Sequence, residues 1–492
     1  MTLFSSVPTV AIIGAGFGGL GLAVALQRAG IDFAVFEKAG ALGGVWRDND
    51  YPGAACDVPS NLYSFSFARR YPWTHPYARQ AEILAYLEHC ADRFELRRHI
   101  RFDHALVAAD YDESRGEWRL RFAGGLEQRA RVLVSSVGQL HRPSIPPLPG
   151  RDSFRGVSFH SARWDHAHEL AGEDVAVIGT GASAAQFVPE IVGKVRRLYL
   201  FQRSPTWVAP KAEAALAPWQ RRLLDAVPLL QDVDRLRVFA LTELLGYCYR
   251  GHRFASTLPT LLARSLLRAQ VRDPDLRRTL TPRYPIGCKR IILSNKWLPA
   301  LCRPNVEVVT APIEGLTARG VRTRDGRERA VDAVIYGTGF AATEFLAGIQ
   351  IRGTDGRELA AAWKDGARAH LGLAVPGFPN FFMLYGPNTN LGSGSIVFML
   401  EQQAAHLAAL TRTLLERGLR SVEVRADVEQ AFVRQMRERS ARSTYSGNCT
   451  SWYKNADGVN TNNWVGSMVE YRRRVRVPNL ADYKMTAATV RP

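Results

Sequence analysis

Short, wholly apolar runs recur along this chain, each followed by glycines and then by a segment in helical period. Thr9–Ile13 is apolar at nearly every position, which predicts a strand covered on both faces rather than one with a wet side. Gly14-Ala15-Gly16-Phe17-Gly18-Gly19 follows. Leu20–Ala29 then reads as a helix, and Ile31–Phe36 as a second strand ending at Glu37. The same order returns at Asp174–Ile178, Gly179-Thr180-Gly181-Ala182-Ser183-Ala184, a helix from Ser183 and a strand Leu198–Phe201. Two such units predict an α/β fold with two Rossmann-like dinucleotide-binding domains. Between about 211 and 284 the pattern becomes charged, Leu-rich and helical, broken at Pro218, Pro228, Pro259 and Pro274. That stretch is expected to be a helical insertion. The expected boundaries are 1–145 with 380–492 for the first domain, 146–210 with 285–379 for the second, and 211–284 for the insertion.

The turns carry the first chemistry. In the first unit Gly14, Gly16 and Gly19 match GxGxxG. They serve a tight turn, close approach of backbone to a pyrophosphate, and helix–strand packing. The helix N-terminus supplies amide donors for phosphate. Glu37 stands where a carboxylate accepts the ribose hydroxyls, so this unit favours FAD or NAD over a 2′-phosphorylated nucleotide. The second unit has GxGxxA at Gly179, Gly181 and Ala184, and its second strand ends at Gln202-Arg203-Ser204. An arginine and a hydroxyl in place of the acid suit a 2′-phosphate. The first site therefore reads as FAD and the second as NADPH, and the pair suggests hydride transfer from nicotinamide to flavin.

Cysteine usage narrows the electron acceptor. The six cysteines are scattered without a CxxC pair, which argues against a redox dithiol, a zinc site and a disulfide scaffold. Oxygen is then the expected acceptor, and a reduced, cytoplasmic setting fits. His166 and His168 with Asp165 and Glu169 lack a distant third ligand, so no metal is expected. The chain carries 64 Lys+Arg against 46 Asp+Glu, a formal charge of +18. The charge is dispersed, so no nucleic-acid partner is indicated. No signal peptide or membrane span is read from the apolar runs. Arg235–Tyr249 is amphipathic and basic. Its apolar residues are expected to pack on the core, with peripheral membrane contact as the alternative.

Between the units, Phe154-Arg155-Gly156-Val157-Ser158-Phe159-His160-Ser161-Ala162-Arg163-Trp164-Asp165 fits FxGxxxHxxxWD. This resembles the fingerprint of type I Baeyer–Villiger monooxygenases, and other segments extend the resemblance over most of the chain. Gly43-Gly44-Val45-Trp46 resembles the flavin-adjacent GGxW segment. Tyr51-Pro52-Gly53 through Asp57 to Tyr63-Ser64-Phe65-Ser66-Phe67 is similar to the 4-hydroxyacetophenone monooxygenase-like branch. Tyr284–Arg290 resembles the segment ending in GxKR, and Gly386-Pro387-Asn388 the closing flavin turn. Three positions depart from the pattern: Ala55 where many relatives have Arg, Trp297-Leu298 in place of a tyrosine pair, and Tyr336-Gly337 before Thr338-Gly339.

The resemblance implies an enzyme that inserts one oxygen atom from O2 into a ketone through a C4a-peroxyflavin, giving an ester or lactone. It implies that Arg290 is catalytic, with Asp57 orienting it. It further implies cofactor contacts from Val45, Trp46, Asp57 and Tyr63 on the flavin side. On the nicotinamide side they come from Thr180, Ser183, Gln186, Arg203, Ser204 and Lys289. His160 is implied to couple the domains rather than to take part in chemistry. A buried peroxide anion needs a fixed cation, which is the physical reason to single out Arg290. Two other readings stand beside this one. The first is a flavin monooxygenase oxidising sulfur or nitrogen, and the second is a flavin-binding sensor. The loop from Ser446-Gly447-Asn448-Cys449-Thr450-Ser451-Trp452-Tyr453 to Trp464 reads either as a cover for the site or as an ordinary surface loop.

Overall fold

The computed structural model describes residues 7–447, 449, 451–455 and 457–488, without the side chain of Arg253. Two five-stranded parallel sheets organise the chain. The first runs, edge to edge, Phe381–Met383, Val132–Ser135, Val10–Ile13, Phe33–Phe36 and Ile100–Arg101. The second runs Val306–Val309, Arg197–Phe201, Asp174–Ile178, Ala333–Tyr336 and Val157–His160. The strands Val10–Ile13 and Ala333–Tyr336 are buried at every position, as wholly apolar runs require when both faces are covered. Helix Phe17–Arg28 packs beside helix Ile396–Glu416, so residues from the far end of the chain complete the first core.

A smaller sheet sits against the first unit. Leu106–Asp112, Glu117–Phe122 and Glu127–Ala130 form an antiparallel meander, and Gln350–Arg352 joins its edge in parallel. Residues 346–379, which the sequence reading groups with the second unit, thus pack largely with the first. Leu346, Ile351, Leu359 and Trp363 share a core with Trp118 and Phe381. The physical reason is pairing: Ile351 has its ladder partner in Ala109, far back in the chain.

The insertion is helical, at Pro218–Ala226, Leu229–Tyr249, Arg253–Gln270 and Pro274–Leu280. Pro218 and Pro274 stand at first helical positions and Pro228 at an N-cap, where a missing N–H leaves no bond unmade. Pro259 lies inside its helix. It cannot donate to the carbonyl of Ala255, which instead accepts from the Cys248 thiol at 2.8 Å. The expected packing of the Arg235–Tyr249 apolar face on the core is found only in part. Val238, Cys248 and Tyr249 are buried, whereas Leu236, Leu241, Leu244 and Tyr247 face solvent.

The cysteine expectation needs correction. Cys288 and Cys449 form a disulfide across 161 positions of sequence. Spacing did not reveal it because the partners meet only when the late loop folds back over residues 284–290. Cys56, Cys90, Cys248 and Cys302 are free. Denatured without reductant, the protein should therefore titrate four thiols, rising to six after reduction. Six at the outset would remove the bridge. By the loop-closure model, a bridge of this span contributes about 5 kcal/mol of stability, so a reductant should lower Tm.

Candidate active site

The first glycine turn leaves room only for backbone. A Cβ on Gly19 would stand 1.9 Å from the Gly14 carbonyl oxygen, and Gly14 itself holds φ +107°. Glu37 is buried at the end of the second strand. Its carboxylate accepts from the Ala15 amide at 2.8 Å and the Ala39 amide at 3.1 Å, and pairs with Arg47 at 3.2 Å. Helix Phe17–Arg28 has Gly16 as its N-cap, with no capping side chain. The amides of its first turn therefore face the strand ends without a side-chain acceptor at the cap, an arrangement suited to pyrophosphate. Val45 and Trp46 open a short helix beside this turn, and the Trp46 indole donates to the Tyr63 hydroxyl at 3.1 Å.

The second turn repeats the design with more open space. Gly181 is the N-cap of helix Ala182–Ile191, again without a capping side chain, and a Cβ there would meet nothing within 4 Å. Thr180 donates to the Ser204 carbonyl at 3.1 Å and so ties the turn to the end of the next strand. The Lys289 ammonium donates to the Ser204 hydroxyl at 2.5 Å. Burial, with help from the charge of Arg203, holds the Lys289 pKa below that of an ordinary lysine. Two cations and a hydroxyl thus converge, with no acid paired to either cation among the described residues, as a dianionic phosphate requires.

Arg290, next in sequence, faces the other way. Its guanidinium grips Asp57 through two bonds, Nε to Oδ2 and Nη2 to Oδ1, both 2.6 Å, and Nη1 donates to the Leu391 carbonyl at 3.3 Å. Burial alone would raise the Asp57 pKa. The charge and hydrogen bonds of Arg290, aided by Lys211, outweigh it and hold the carboxyl below its usual value. Burial likewise disfavours the guanidinium charge, and Asp57 more than restores it. Arg290 is thus a cation at any working pH, with one edge held and the rest turned toward Leu391 and the late loop.

The Tyr51–Asp57 segment is clamped between the units. Gln186, on the second unit's helix, accepts from the Tyr51 hydroxyl at 2.9 Å and donates to the Ala55 carbonyl at 2.9 Å. Ser183 also bears on Tyr51, whose pKa burial pushes up to about 12. Gln186 therefore joins the two domains, in addition to the nucleotide contact expected of it. His160 acts similarly. It accepts from the Ala162 amide through Nδ1 and donates from Nε2 to the Gly339 carbonyl at 2.9 Å, fixing the fingerprint to the Thr338-Gly339 turn. Trp164 packs on Phe159 and Phe187. His166 and His168 diverge to Asp50 and Glu173, and no group of three metal-ligating side chains occurs among the described residues. Trp297 and Leu298 are buried in the second core.

The late loop is built into the site. Asn390 donates to the Asn463 side chain at 2.6 Å, and the Asn388 amide donates to the Thr461 carbonyl at 2.8 Å. Asn462, Asn463, Tyr453 and Trp464 are fully or almost fully buried. Of the loop residues named above, Asn448 and Thr450 lie outside the described residues. Sequence reading missed four neighbours of the Arg290–Asp57 pair: Lys211, Tyr249, Tyr385 and Tyr453, whose charges or dipoles act on it. Lys211 is buried with its ammonium 5.2 Å from the Tyr77 ring centroid. The Tyr453 hydroxyl is buried without a hydrogen-bond partner among the described residues. A lysine directly after Ala209-Pro210, in a chain with only eight lysines, was the one available signal.

Two glycine turns on two parallel sheets, joined by a held cation, define a two-dinucleotide oxidoreductase. In agreement, residues 11–238 match the pyridine nucleotide-disulphide oxidoreductase family model. A Baeyer–Villiger monooxygenase of Streptomyces coelicolor is 44% identical over 479 residues, covering 97% of this chain and 92% of that protein. An oxidized steroid monooxygenase bound to NADP superposes with a TM-score of 0.86 at 32% identity, over 98% of this chain and 100% of the other. A crystal structure of OTEMO in complex with FAD and NADP gives 0.86 at 26% identity, with 98% and 100% covered. The chain belongs to the Baeyer–Villiger monooxygenase family.

Proposed function

We propose that this protein uses NADPH and FAD to insert one oxygen atom of O2 beside a ketone carbonyl, yielding an ester or lactone. The observation that carries the reading is the divergence of two adjacent residues. Lys289 reaches Ser204 in the second unit, while Arg290 reaches Asp57 in the first. One dipeptide thus serves the nucleotide that delivers hydride and the centre that receives it. FAD fits the turn at Gly14, Gly16 and Gly19 with Glu37 at the ribose, flanked by Val45, Trp46 and Tyr63. NADPH fits the turn at Gly179, Thr180 and Gly181, with Ser183 and Gln186 on the following helix and Arg203, Ser204 and Lys289 at the 2′-phosphate.

Bound FAD supplies the redox chemistry, taking electrons from NADPH and activating O2. The chain's own task is electrostatic. Oxygen insertion builds negative charge on oxygen, and a preorganised guanidinium stabilises that charge without reorganising. Asp57 fixes the orientation of Arg290. The late loop, held by its asparagine pairs, keeps water out, so reduced oxygen is not lost as hydrogen peroxide. The need for NADPH fits a cytoplasmic setting, and among the described residues no helix is long and apolar enough to cross a membrane.

The test is a panel of linear, cyclic and aryl ketones incubated with holoenzyme, NADPH and labelled dioxygen. One labelled oxygen in the ester or lactone is expected. Label appearing only in sulfoxides or N-oxides of control substrates would move the protein to the heteroatom-oxidising class. Absence of NADPH-driven flavin bleaching would make it a sensor.

A further inference from the structure

Fifteen of the eighteen large apolar side chains exposed among the described residues lie between Trp219 and Leu262. They are ordered. On helix Leu229–Tyr249 the exposed stripe reads Leu229, Val233, Leu236, Leu244 and Tyr247, at helical spacing along one face. The neighbouring helix Arg253–Gln270 adds Phe254, Leu258 and Leu261, and Trp219 extends the surface on the preceding short helix. Phe254 is 97% exposed, Leu236 69%, Trp219 65% and Leu244 64%. A solvent-facing helix normally turns polar residues outward, and a continuous apolar surface marks a contact site.

The unpaired charges around it are mostly positive. Arg221, Arg222, Arg264 and Arg268 lie on the same helices and have no acidic partner among the described residues. The acids there are mostly engaged. Asp232 pairs with Arg69 and Arg70, Asp234 with Arg237, and Glu243 accepts from the Met468 amide at 2.7 Å. Only Asp225 is left against the four arginines.

We propose that the helical insertion docks this protein onto an anionic lipid bilayer, lying in the interface with its apolar stripe among the acyl chains. An apolar face carrying Trp, Phe and Leu, with arginines along its helices, is the combination that interfacial helices use. Each arginine near an anionic leaflet contributes about 1 kcal/mol. A second copy is the poorer occupant. Pairing about a two-fold axis sets the patch against itself, bringing unpaired guanidinium groups toward one another. The opposite face of the same helix buries Tyr249 beside Arg290, and the helix is tied to the flavin-side loop by Ser393 donating to the Thr242 carbonyl at 2.9 Å. Resting on the ketone reading, this places lipid-dissolved ketones one helix thickness from the reacting centre.

The experiment is flotation of holoenzyme with vesicles of phosphatidylcholine alone or mixed equally with phosphatidylglycerol. Binding to the mixed vesicles, weakened by salt, is expected. Leu236→Glu with Leu244→Glu should lower the partition coefficient by roughly tenfold or more. Arg264→Gln with Arg268→Gln should remove about 30-fold of the anionic preference. Neither pair should change kcat for a water-soluble ketone. Arg290→Ala should bind as the parent does, so docking and catalysis fail separately. The proposal is overturned if the parent ignores the mixed vesicles at low salt or if the glutamates leave binding unchanged. It is also overturned if light scattering shows a dimer that Leu236→Glu dissociates.

Discussion

Arg290→Ala abolishes most ester formation while NADPH oxidation continues, its electrons leaving as hydrogen peroxide. This is the largest effect expected of any single substitution here. Removing a preorganised charge from the site of developing negative charge typically lowers kcat by about 100- to 1,000-fold. Arg290 is suited to this task because Asp57 holds only one edge of the guanidinium and Leu391 takes a single further bond. The check is product yield per NADPH consumed, with hydrogen peroxide measured in the same reaction and flavin content verified by absorbance. Arg290→Lys keeps a charge but loses the two-pronged grip on Asp57, so it should recover only part of the activity. Ester formation undiminished in Arg290→Ala would show that another group stabilises the charge, and buried Lys211 beside Asp57 would be the first to test.

The second large effect falls on coenzyme choice. A hydrogen bond to a charged group contributes about 1.5–3 kcal/mol, so Lys289→Ala and Arg203→Ala should each raise the KM for NADPH roughly 10- to 100-fold. The KM for NADH, which lacks the 2′-phosphate, should hardly move. The pH dependence has a definite sign. Burial and the charge of Arg203 lower the Lys289 pKa, so its cationic form is complete at low pH and is lost as pH rises, below the range of an ordinary lysine. NADPH affinity should therefore weaken on the alkaline side before free lysine would titrate, and Lys289→Arg should flatten that limb. Equal losses for NADPH and NADH would place the 2′-phosphate elsewhere.

Both predictions use residues legible in the sequence, but for different reasons. Glycine turns after apolar strands are local. Each strand, turn and helix lies within about 30 residues, the span over which periodicity is informative. The strands at Val10–Ile13 and Asp174–Ile178 and the helices after them accordingly fall where the pattern puts them, to within a few residues. Arg290 was singled out by family resemblance, since an arginine between Lys289 and Ile291 has no local signature of catalysis. The Asp57 pairing joins positions separated by 233 residues. The insertion shows the converse failure. Its helices were legible, but helical period locates an apolar stripe without saying whether anything covers it.

The sequence by itself determined the two nucleotide turns, the acid and the base that distinguish them, and the helical character of the insertion, because those depend on neighbours in the chain. Tertiary structure alone decided the rest. It brought Cys288 to Cys449, set Gln186 between the domains, returned residues 346–379 to the first core and left the Leu236 face bare. Each of those outcomes turns on which distant surface meets which. That is set by strand partners and packing volume, and neither is written in any short stretch of residues.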